Sequence, residues 1–469
     1  MMVTRASDVG RVHHLFTSPN LTMATRTTAI VIDAGSSGSR AHLYTFGAPQ
    51  LTTIREEWSM KRWPGLSACA LKEPKAPSIE ANISGCARKN LSHMLHDLEA
   101  GCRTKSVHCV GAPVYLRATA GLRLLQPQDR ESILQGAAEA IRQSSFRLTS
   151  LPRTLPGSEE ALYDWLMVNA AAGTLGAPRS ATFAVLDMGG GSTQIAFEPA
   201  SASPSFQGMQ QLSSQMGGRA LYAVSRLGFG MNEAHDSVLA RWRGAGRHPC
   251  KLPGDYEGCR KEVSAFVRAA EEEGATGLGR QPRTPPLPPG MQVVGLDNFY
   301  FAVLALWGGD ASRAPRDAAM PAGLADAAGR LPPAPTLPEV EARARRLCAF
   351  SEDALKLDLG GHTRDKKLKA EKLSKACTCA ALIVVLAREV YGVTDEQRIA
   401  VAADIHGFDG SWALGAMVYE IAEGTGQNGL VGVGVIIVAG ALLVGLAGCG
   451  LRWAGWGWPL SNVRLYSVL

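Results

Sequence analysis

The stretch TTAIVIDAGSSGSRAHLYTF, Thr27 to Phe46, decides how the chain is read. Thr28 to Ile32 is apolar and β-branched and reads as a strand, and Arg40 to Phe46 reads as a second one. Between them lie Asp33 and a tight turn built of Gly35, Ser36, Ser37, Gly38 and Ser39. A turn crowded with Gly and Ser exposes successive backbone N–H groups, which form a concavity suited to an anion. Serine hydroxyls add donors, so the turn fits the oxygens of a phosphate chain. An aspartate at the strand end would repel phosphate directly and therefore calls for a cation or an ordered water in between.

The same plan returns downstream. FAVLDMGGGSTQIAFE, Phe183 to Glu198, runs from an apolar strand to Asp187, turns through Gly189, Gly190 and Gly191, and re-enters a strand at Ser192 and Gln194. Two copies of strand–Asp–turn–strand imply two related lobes facing each other. Asp33 and Asp187 together suggest a site for a hydrated divalent metal with oxygen ligands. No Gly-Lys-Ser/Thr comes after either turn, which excludes a Walker loop. The residues after each glycine cluster are strand-like and not helical, which excludes a Rossmann fingerprint.

Around these turns, strands are expected at Ala29 to Ile32, Ala112 to Leu116 and Ala181 to Leu186, and helices near Asn90 to Glu99 and Arg130 to Arg142. This alternation predicts an α/β layered architecture. Leu278 to Gly290 is proline-rich and Gly308 to Leu337 is dominated by Ala, Gly, Pro and Arg, so both read as unstructured surface insertions. Asn298 to Trp307 between them reads as a buried strand or helix.

At 469 residues, with 46% hydrophobic and 19% charged residues, the chain has the size of two ordinary globular domains. The net charge of +6 is mild and no Lys/Arg stripe is interleaved with aromatics, so no nucleic-acid surface is expected. The densest basic run, Arg364 to Lys375, is interrupted by Asp365 and Glu371 and reads as a solvated helix face. Leu430 to Leu451 carries no charge and is long enough for a hydrocarbon core of roughly 30 Å. Arg452, Trp453, Trp456 and Trp458 come next, as at a membrane interface. A single transmembrane helix is therefore expected over 430–451. The tail 452–469 carries Arg452 and Arg464 and no acid, which places it in the cytosol and the bulk of the chain in a lumen or outside. The sequons at Asn20, Asn82 and Asn90 agree with that side. Cys250 and Cys259 flank a turn-rich loop that a disulfide could close, and nine cysteines before the apolar segment leave at least one thiol unpaired. Residues 1 to 26 hold no apolar run of signal-peptide length, so targeting would use the C-terminal helix or a segment upstream of this sequence.

Five segments in order resemble those of the apyrase family, the nucleoside triphosphate diphosphohydrolases. They are IVIDAGSSGSR, VYLRATAGLRLL (Val114 to Leu125), PGSEEALYDWLMVN (Pro156 to Asn169), VLDMGGGSTQIAF and DGSWALGAMVYE (Asp409 to Glu420). RLGFGMNEA (Arg226 to Ala234) and RHPC (Arg247 to Cys250) are also similar. The resemblance implies an actin–hexokinase-type fold of two ribonuclease-H-like lobes, with the nucleotide in the cleft between them. It sets an N-terminal segment 1–27, a first lobe at 28–150 rejoined by 395–425, and a second lobe at 151–394. Carried over by position, Asp33 and Asp187 would hold Ca²⁺ or Mg²⁺ through water. Ser36, Ser37 and Gly38 would form one phosphate clamp, Gly189, Gly190 and Gly191 the other, and Thr119 would lie near the terminal phosphate. Ser192 and Gln194 would position the attacking water, Glu160 would be the catalytic base, and Trp412 would stand behind the metal site. Ala161 replaces the usual glycine after the base, and Asn169-Ala170 replaces Asn-Tyr. Residues that recognise the base fall in the divergent 200–400 region and are not placed.

The implied function is metal-dependent hydrolysis of nucleoside tri- and/or diphosphates by a membrane-anchored enzyme, with a Golgi-type diphosphatase acting on GDP or UDP as a narrower version. A sugar kinase of the same superfamily would use similar clamps but would need an acceptor pocket with its own base. A nucleotide-binding protein with a decayed site is disfavoured by the presence of Asp33, Glu160, Asp187, Ser192 and Gln194 together.

Overall fold

The computed structural model describes residues 26–47, 53–70, 79–201, 206–213, 216–273, 284–355 and 370–422. The segment 1–25 with its sequon at Asn20, residues 278–283 of the first proline-rich stretch, residues 364–369 of the basic run, the apolar segment 430–451 and the tail 452–469 lie outside the described residues. Among the described residues no helix is long and apolar enough to cross a membrane. The chain divides into two compact units, one reaching to Leu155 together with Gly407–Asp409, the other comprising Pro156–His406 and the chain from Gly410 on.

In the first unit, β1 (Arg26–Ala34) and β2 (Ser39–Gly47) form an antiparallel hairpin extended by β3 (Arg55–Arg62). On the other side of β1, β4 (Pro113–Ala118) runs parallel to it, followed by the short β5 (Arg147–Leu148) and β6 (Arg153–Thr154). The sheet order is β3-β2-β1-β4-β5. Helices α1 (Ile79–Thr104) and α3 (Pro127–Arg142) cover one face, with the one-turn α2 (Ala120–Arg123) following β4. Their alignment is close: a Cβ on Gly136 of α3 would sit 2.2 Å from the Ser84 carbonyl oxygen of α1. Ile30, Ile32, Leu43, Val114 and Leu116 of the sheet pack with Leu91, Leu95 and Leu98 of α1 and Ile133 and Ile141 of α3. Disulfides Cys69–Cys86 and Cys102–Cys109 staple α1 to its surroundings. Asn90 lies with Nδ2 3.6 and 3.7 Å from these sulfurs of Cys69 and Cys86, a contact that a glycan on that nitrogen would displace.

The second unit begins with α4 (Gly157–Ala171) and repeats the plan. The hairpin β7 (Ala184–Met188)–β8 (Ser192–Phe197) is extended on one side by β9 (Met209–Gln211) and β10 (Ala220–Leu227). After α5 (Met231–Arg241) and α6 (Tyr256–Glu273), β11 (Val293–Asp297) joins β7 in parallel. Then come α7 (Asn298–Leu306), α8 (Leu337–Ala349), α9 (Ala376–Val385) and β12 (Ile399–Val401), which pairs parallel to β11. In the order β9-β10-β8-β7-β11-β12, strands β10, β8 and β7 take the places of β3, β2 and β1 and the parallel β11 and β12 those of β4 and β5, with β9 added at the antiparallel edge, as in a ribonuclease-H-like lobe. Helix α9 is buried on every side, as its uniformly apolar sequence ACTCAALIVV requires. Disulfides Cys250–Cys259 and Cys348–Cys377 lie in this core, and Cys379 is a free, buried thiol whose pKa burial pushes up to about 12.

Two sequence expectations are corrected here. Residues 308–337 are not an unstructured insertion. They contain 3-10 turns at Ala311–Arg313 and Ala322–Leu324 and bury Ala314, Met320, Leu324 and Ala334. The carbonyls of Pro333 and Pro335 accept from Val401 and Ile399 of β12. Proline has no N–H to offer, but its carbonyl can still satisfy an edge strand, so a proline-rich composition here forms the border of a sheet. Nor does all of 395–425 rejoin the first unit. The apolar Ile399–Val401 completes the second sheet, residues 413–422 are a helix against α4, and Gly407–Asp409 alone group with the first unit. A Cβ on Gly415 would sit 1.8 Å from the Tyr163 carbonyl oxygen, so that helix lies directly on the α4 backbone. Asn298 to Trp307 resolves as a helix, since β11 ends at Asp297.

Candidate active site

In the first unit the loop Gly35–Gly38 closes the β1–β2 hairpin, with Ala34 opposite Ser39 and Asp33 opposite Arg40. Asp33 is 3% exposed, and Arg40 Nη1 lies 3.4 Å from its Oδ2. Burial of a carboxylate is tolerated when a cation compensates it. β1 and β4 end side by side, and the Thr119 N–H donates to the Ala34 carbonyl at 3.3 Å. Thr119 is buried and starts α2, so Asp33, the loop and Thr119 share the carboxyl edge of the parallel pair, where open α/β sheets bind ligands. The loop is held from behind by glycines. A Cβ on Gly65 would lie 2.4 Å from Gly35 O, and one on Gly121 would lie 2.6 Å from Ser36 Cα. Below the loop, His42 is fully buried against Glu56 at 2.8 Å. Burial alone would lower its pKa, but the Glu56 carboxylate overrides this and raises it.

In the second unit the equivalent loop is Gly189–Gly191, with Asp187 opposite Gln194 in the hairpin. Its carbonyls are held by the backbone between β10 and the first turn of α5. Gly189 O accepts from Met231 N (3.0 Å), Gly190 O from Asn232 N (2.9 Å), and Gly191 O from Gly228 N (2.8 Å). In a trans peptide the C=O and the next N–H point opposite ways, so the N–H groups of Gly190 and Gly191 are turned away from the start of α5, and that of Ser192 away from Gly228. Successive backbone donors freed in this way can form an anion cradle. Asn298 Nδ2 adds bonds to Met188 O (2.7 Å) and Gly189 O (3.2 Å). Beside the loop, Gln194 Nε2 donates to Ser192 Oγ (2.8 Å) and Ser225 Oγ (3.0 Å). Its Oε1 is buried and accepts no hydrogen bond among the described residues. A buried acceptor of this kind suits the proton of a bound water.

Glu160 is in the first turn of α4 and buried, whereas its neighbour Glu159 is half-buried, with Tyr163 Oη 3.5 Å from Oε2. One turn on, the Tyr163 ring is 6.3 Å from that of Trp412, which is 4% exposed. The structure thus puts Trp412 against the helix that carries Glu160.

A family model described as the GDA1/CD39 (nucleoside phosphatase) family matches residues 21–271. The chain belongs to that family. Probable apyrase 1 of Oryza sativa subsp. japonica is 32% identical over 264 residues, 53% of this chain and 51% of that protein. Ectonucleoside triphosphate diphosphohydrolase 6 of Mus musculus is 32% identical over 279 residues, 51% of this chain and 57% of that one. The chain spans about half the length of these relatives. A solved structure of nucleoside triphosphate hydrolases from Neospora caninum superposes with a TM-score of 0.56 at 16% identity, covering 85% of this chain and 93% of that one. This likeness shows the actin–hexokinase-type mixed α/β fold.

Some residues that support the two loops were missed in the sequence. Gly65 and Gly230 are equivalent: each stands three positions after the strand that pairs with the second hairpin strand of its sheet (β3 and β10), and each starts a helix with extended backbone (φ −66°, ψ 162° and φ −71°, ψ 161°). A Cβ on Gly230 would lie 2.4 Å from Gly191 N and Ser192 N. Gly230 and Asn232 lie within RLGFGMNEA, and that segment was the available signal. The basic run is corrected in part: Lys372 and Lys375 do not face solvent alone but donate to Asn298 Oδ1 and Asn232 Oδ1, each at 2.8 Å.

Proposed function

We propose that the chain hydrolyses the terminal phosphoanhydride of nucleoside tri- or diphosphates. The observation that carries this reading is the second loop, where the three glycine carbonyls are bound by backbone donors and the N–H groups that follow them are turned from those donors, beside a buried Gln194 oxygen. In this reading the Gly189–Gly191 and Ser36–Gly38 loops bind phosphate oxygens, Thr119 contacts the terminal phosphate, and Ser192 with Gln194 orients the attacking water. Glu160 receives the water's proton as general base. Buried in the first turn of α4, its carboxylate is also favoured by the helix dipole.

In this reading Asp33 and Asp187 would hold a divalent ion through water. Among the described residues no group of three or more His, Cys, Asp or Glu forms an all-protein cage. One carboxylate per loop is the donor set expected where waters and substrate phosphates complete the shell of Mg²⁺ or Ca²⁺. Such an ion supplies charge neutralisation of the polyphosphate. Four disulfides among the described residues support an oxidising compartment, and with the apolar segment 430–451 they support a membrane-anchored enzyme whose catalytic part is lumenal or extracellular.

Phosphate release from ATP, ADP, GDP and UDP, each with Ca²⁺, with Mg²⁺ and with excess EDTA, tests the reading. Hydrolysis of at least one nucleotide that EDTA abolishes is expected. No release from any nucleotide overturns the function, and undiminished release in EDTA overturns the metal.

A further inference from the structure

Lys372 has no role in the reading above, yet it is linked to the second loop through Asn298. Its Nζ donates to Asn298 Oδ1 at 2.8 Å, and also lies 3.9 Å from Asp297 Oδ1 and 3.5 Å from the centroid of the Phe301 ring. Asn298 is 2% exposed, and its other carboxamide atom, Nδ2, donates to Met188 O and Gly189 O. The residue that aims it, Asp297, has φ 46° and ψ −108°, a left-handed backbone that a side chain with Cβ rarely adopts. Such strain is kept where the surroundings over-determine it, and at functional sites above all.

A carboxamide can bind its neighbours in two flipped orientations. An ammonium donates and cannot accept, while the loop carbonyls accept and cannot donate. Lys372 on one side and the Met188 and Gly189 oxygens on the other therefore admit one orientation. The bonds then run in a single direction, from Lys372 Nζ to Asn298 Oδ1, from Asn298 Nδ2 to Gly189 O, and across the same peptide plane to the Gly190 N–H. Each bond polarises the next, and a charged first donor strengthens the series.

We infer that Lys372 is a positioning residue for substrate phosphate, acting through Asn298 on the Gly190 N–H of the second loop. This rests on the phosphohydrolase reading of that loop. In this inference Lys372 acts on the phosphate through the Asn298 amide and not by touching the reacting atoms.

The test uses the full chain, the best nucleotide from the substrate screen, and the variants Lys372→Met, Lys372→Gln, Lys372→Arg, Asn298→Ala and Lys372→Met/Asn298→Ala. Lys372→Met is expected to lower kcat/KM by about tenfold, the scale of a hydrogen bond to a charged group. Inhibition by inorganic phosphate should weaken in step. Lys372→Arg should recover most of the loss, and the double variant should be no worse than Asn298→Ala. A double variant that loses the product of the two single effects overturns action through Asn298. Unchanged kcat/KM and phosphate inhibition in Lys372→Met overturn the inference while leaving the function standing. Lys372→Gln covers a methionine variant that does not fold, because full activity there excludes a role for the charge. No hydrolysis by the wild-type chain overturns both readings.

Discussion

Gly230→Ala should disable the second loop. The backbone at Gly230 (φ −71°, ψ 161°) is one that alanine adopts freely. Judged on conformation alone, the substitution would stabilise by about 0.4–1 kcal/mol by restricting the unfolded chain. Contact decides otherwise. The new Cβ would lie 2.4 Å from Gly191 N and Ser192 N and 2.5 Å from Gly190 C, all backbone atoms with no rotamer to yield. Restoring van der Waals distance moves the loop by about 1 Å. Overpacking of this kind costs about 1–3 kcal/mol, so the net loss is up to about 2.5 kcal/mol. A 1 Å misplacement of a positioning group costs about 10²-fold in rate. Gly65→Ala should behave alike in the first unit, since its Cβ would lie 2.4 Å from Gly35 O. Gly85→Ala is the control: it lies in α1 with nothing within 4 Å of the added carbon, and alanine in a helix gains about 1 kcal/mol over glycine. Thermal melts and kcat/KM for nucleotide hydrolysis measure all three. A Gly230→Ala enzyme within twofold of wild-type activity would refute the reasoning.

Glu160→Gln should lose about 10²–10⁴ in kcat while still binding nucleotide, and Glu159→Gln should lose far less; steady-state kinetics of both assign the base, and an inactive Glu159→Gln would move it. The His42–Glu56 pair should stabilise the first unit at low pH, because a raised imidazole pKa adds stability that is complete below the unfolded value and fades as pH rises through the folded one. Glu56→Gln should flatten that limb of a melting-temperature profile, and an unchanged profile counts against the pair. His235 has the opposite sign: burial pushes its pKa down to about 4, so stability should fall as pH drops from about 6.5 toward that value, and His235→Gln should remove the slope.

Much of the fold could be read in the sequence because its signal is local. Each hairpin is a continuous stretch in which strand, Asp, turn and strand succeed one another, and both form, with Asp33 opposite Arg40 and Asp187 opposite Gln194. The supports of each loop come from afar, so local pattern did not show what they do, although Gly121 and Gly230 lie within quoted segments. Gly121 and Gly230 matter for backbone atoms 85 and about 40 residues away, and a glycine's lack of a side chain says nothing of what it lets approach. Composition misled where a residue's ordinary surroundings are not its own. The prolines at 333 and 335 border a sheet with their carbonyls, and Lys372 and Lys375 turn from a basic run to bind asparagines.

The Cys348–Cys377 bond joins the end of α8 to the start of α9, and Lys372 and Lys375 both lie inside the loop it closes. With a sequence separation of 29, closing that loop removes roughly 3.5 kcal/mol of freedom from the unfolded chain. The bond acts as a short leash on the two ammonium groups, keeping them within reach of Asn298 and Asn232. Molecules made where this cysteine pair stays reduced would carry the same catalytic side chains with that leash untied.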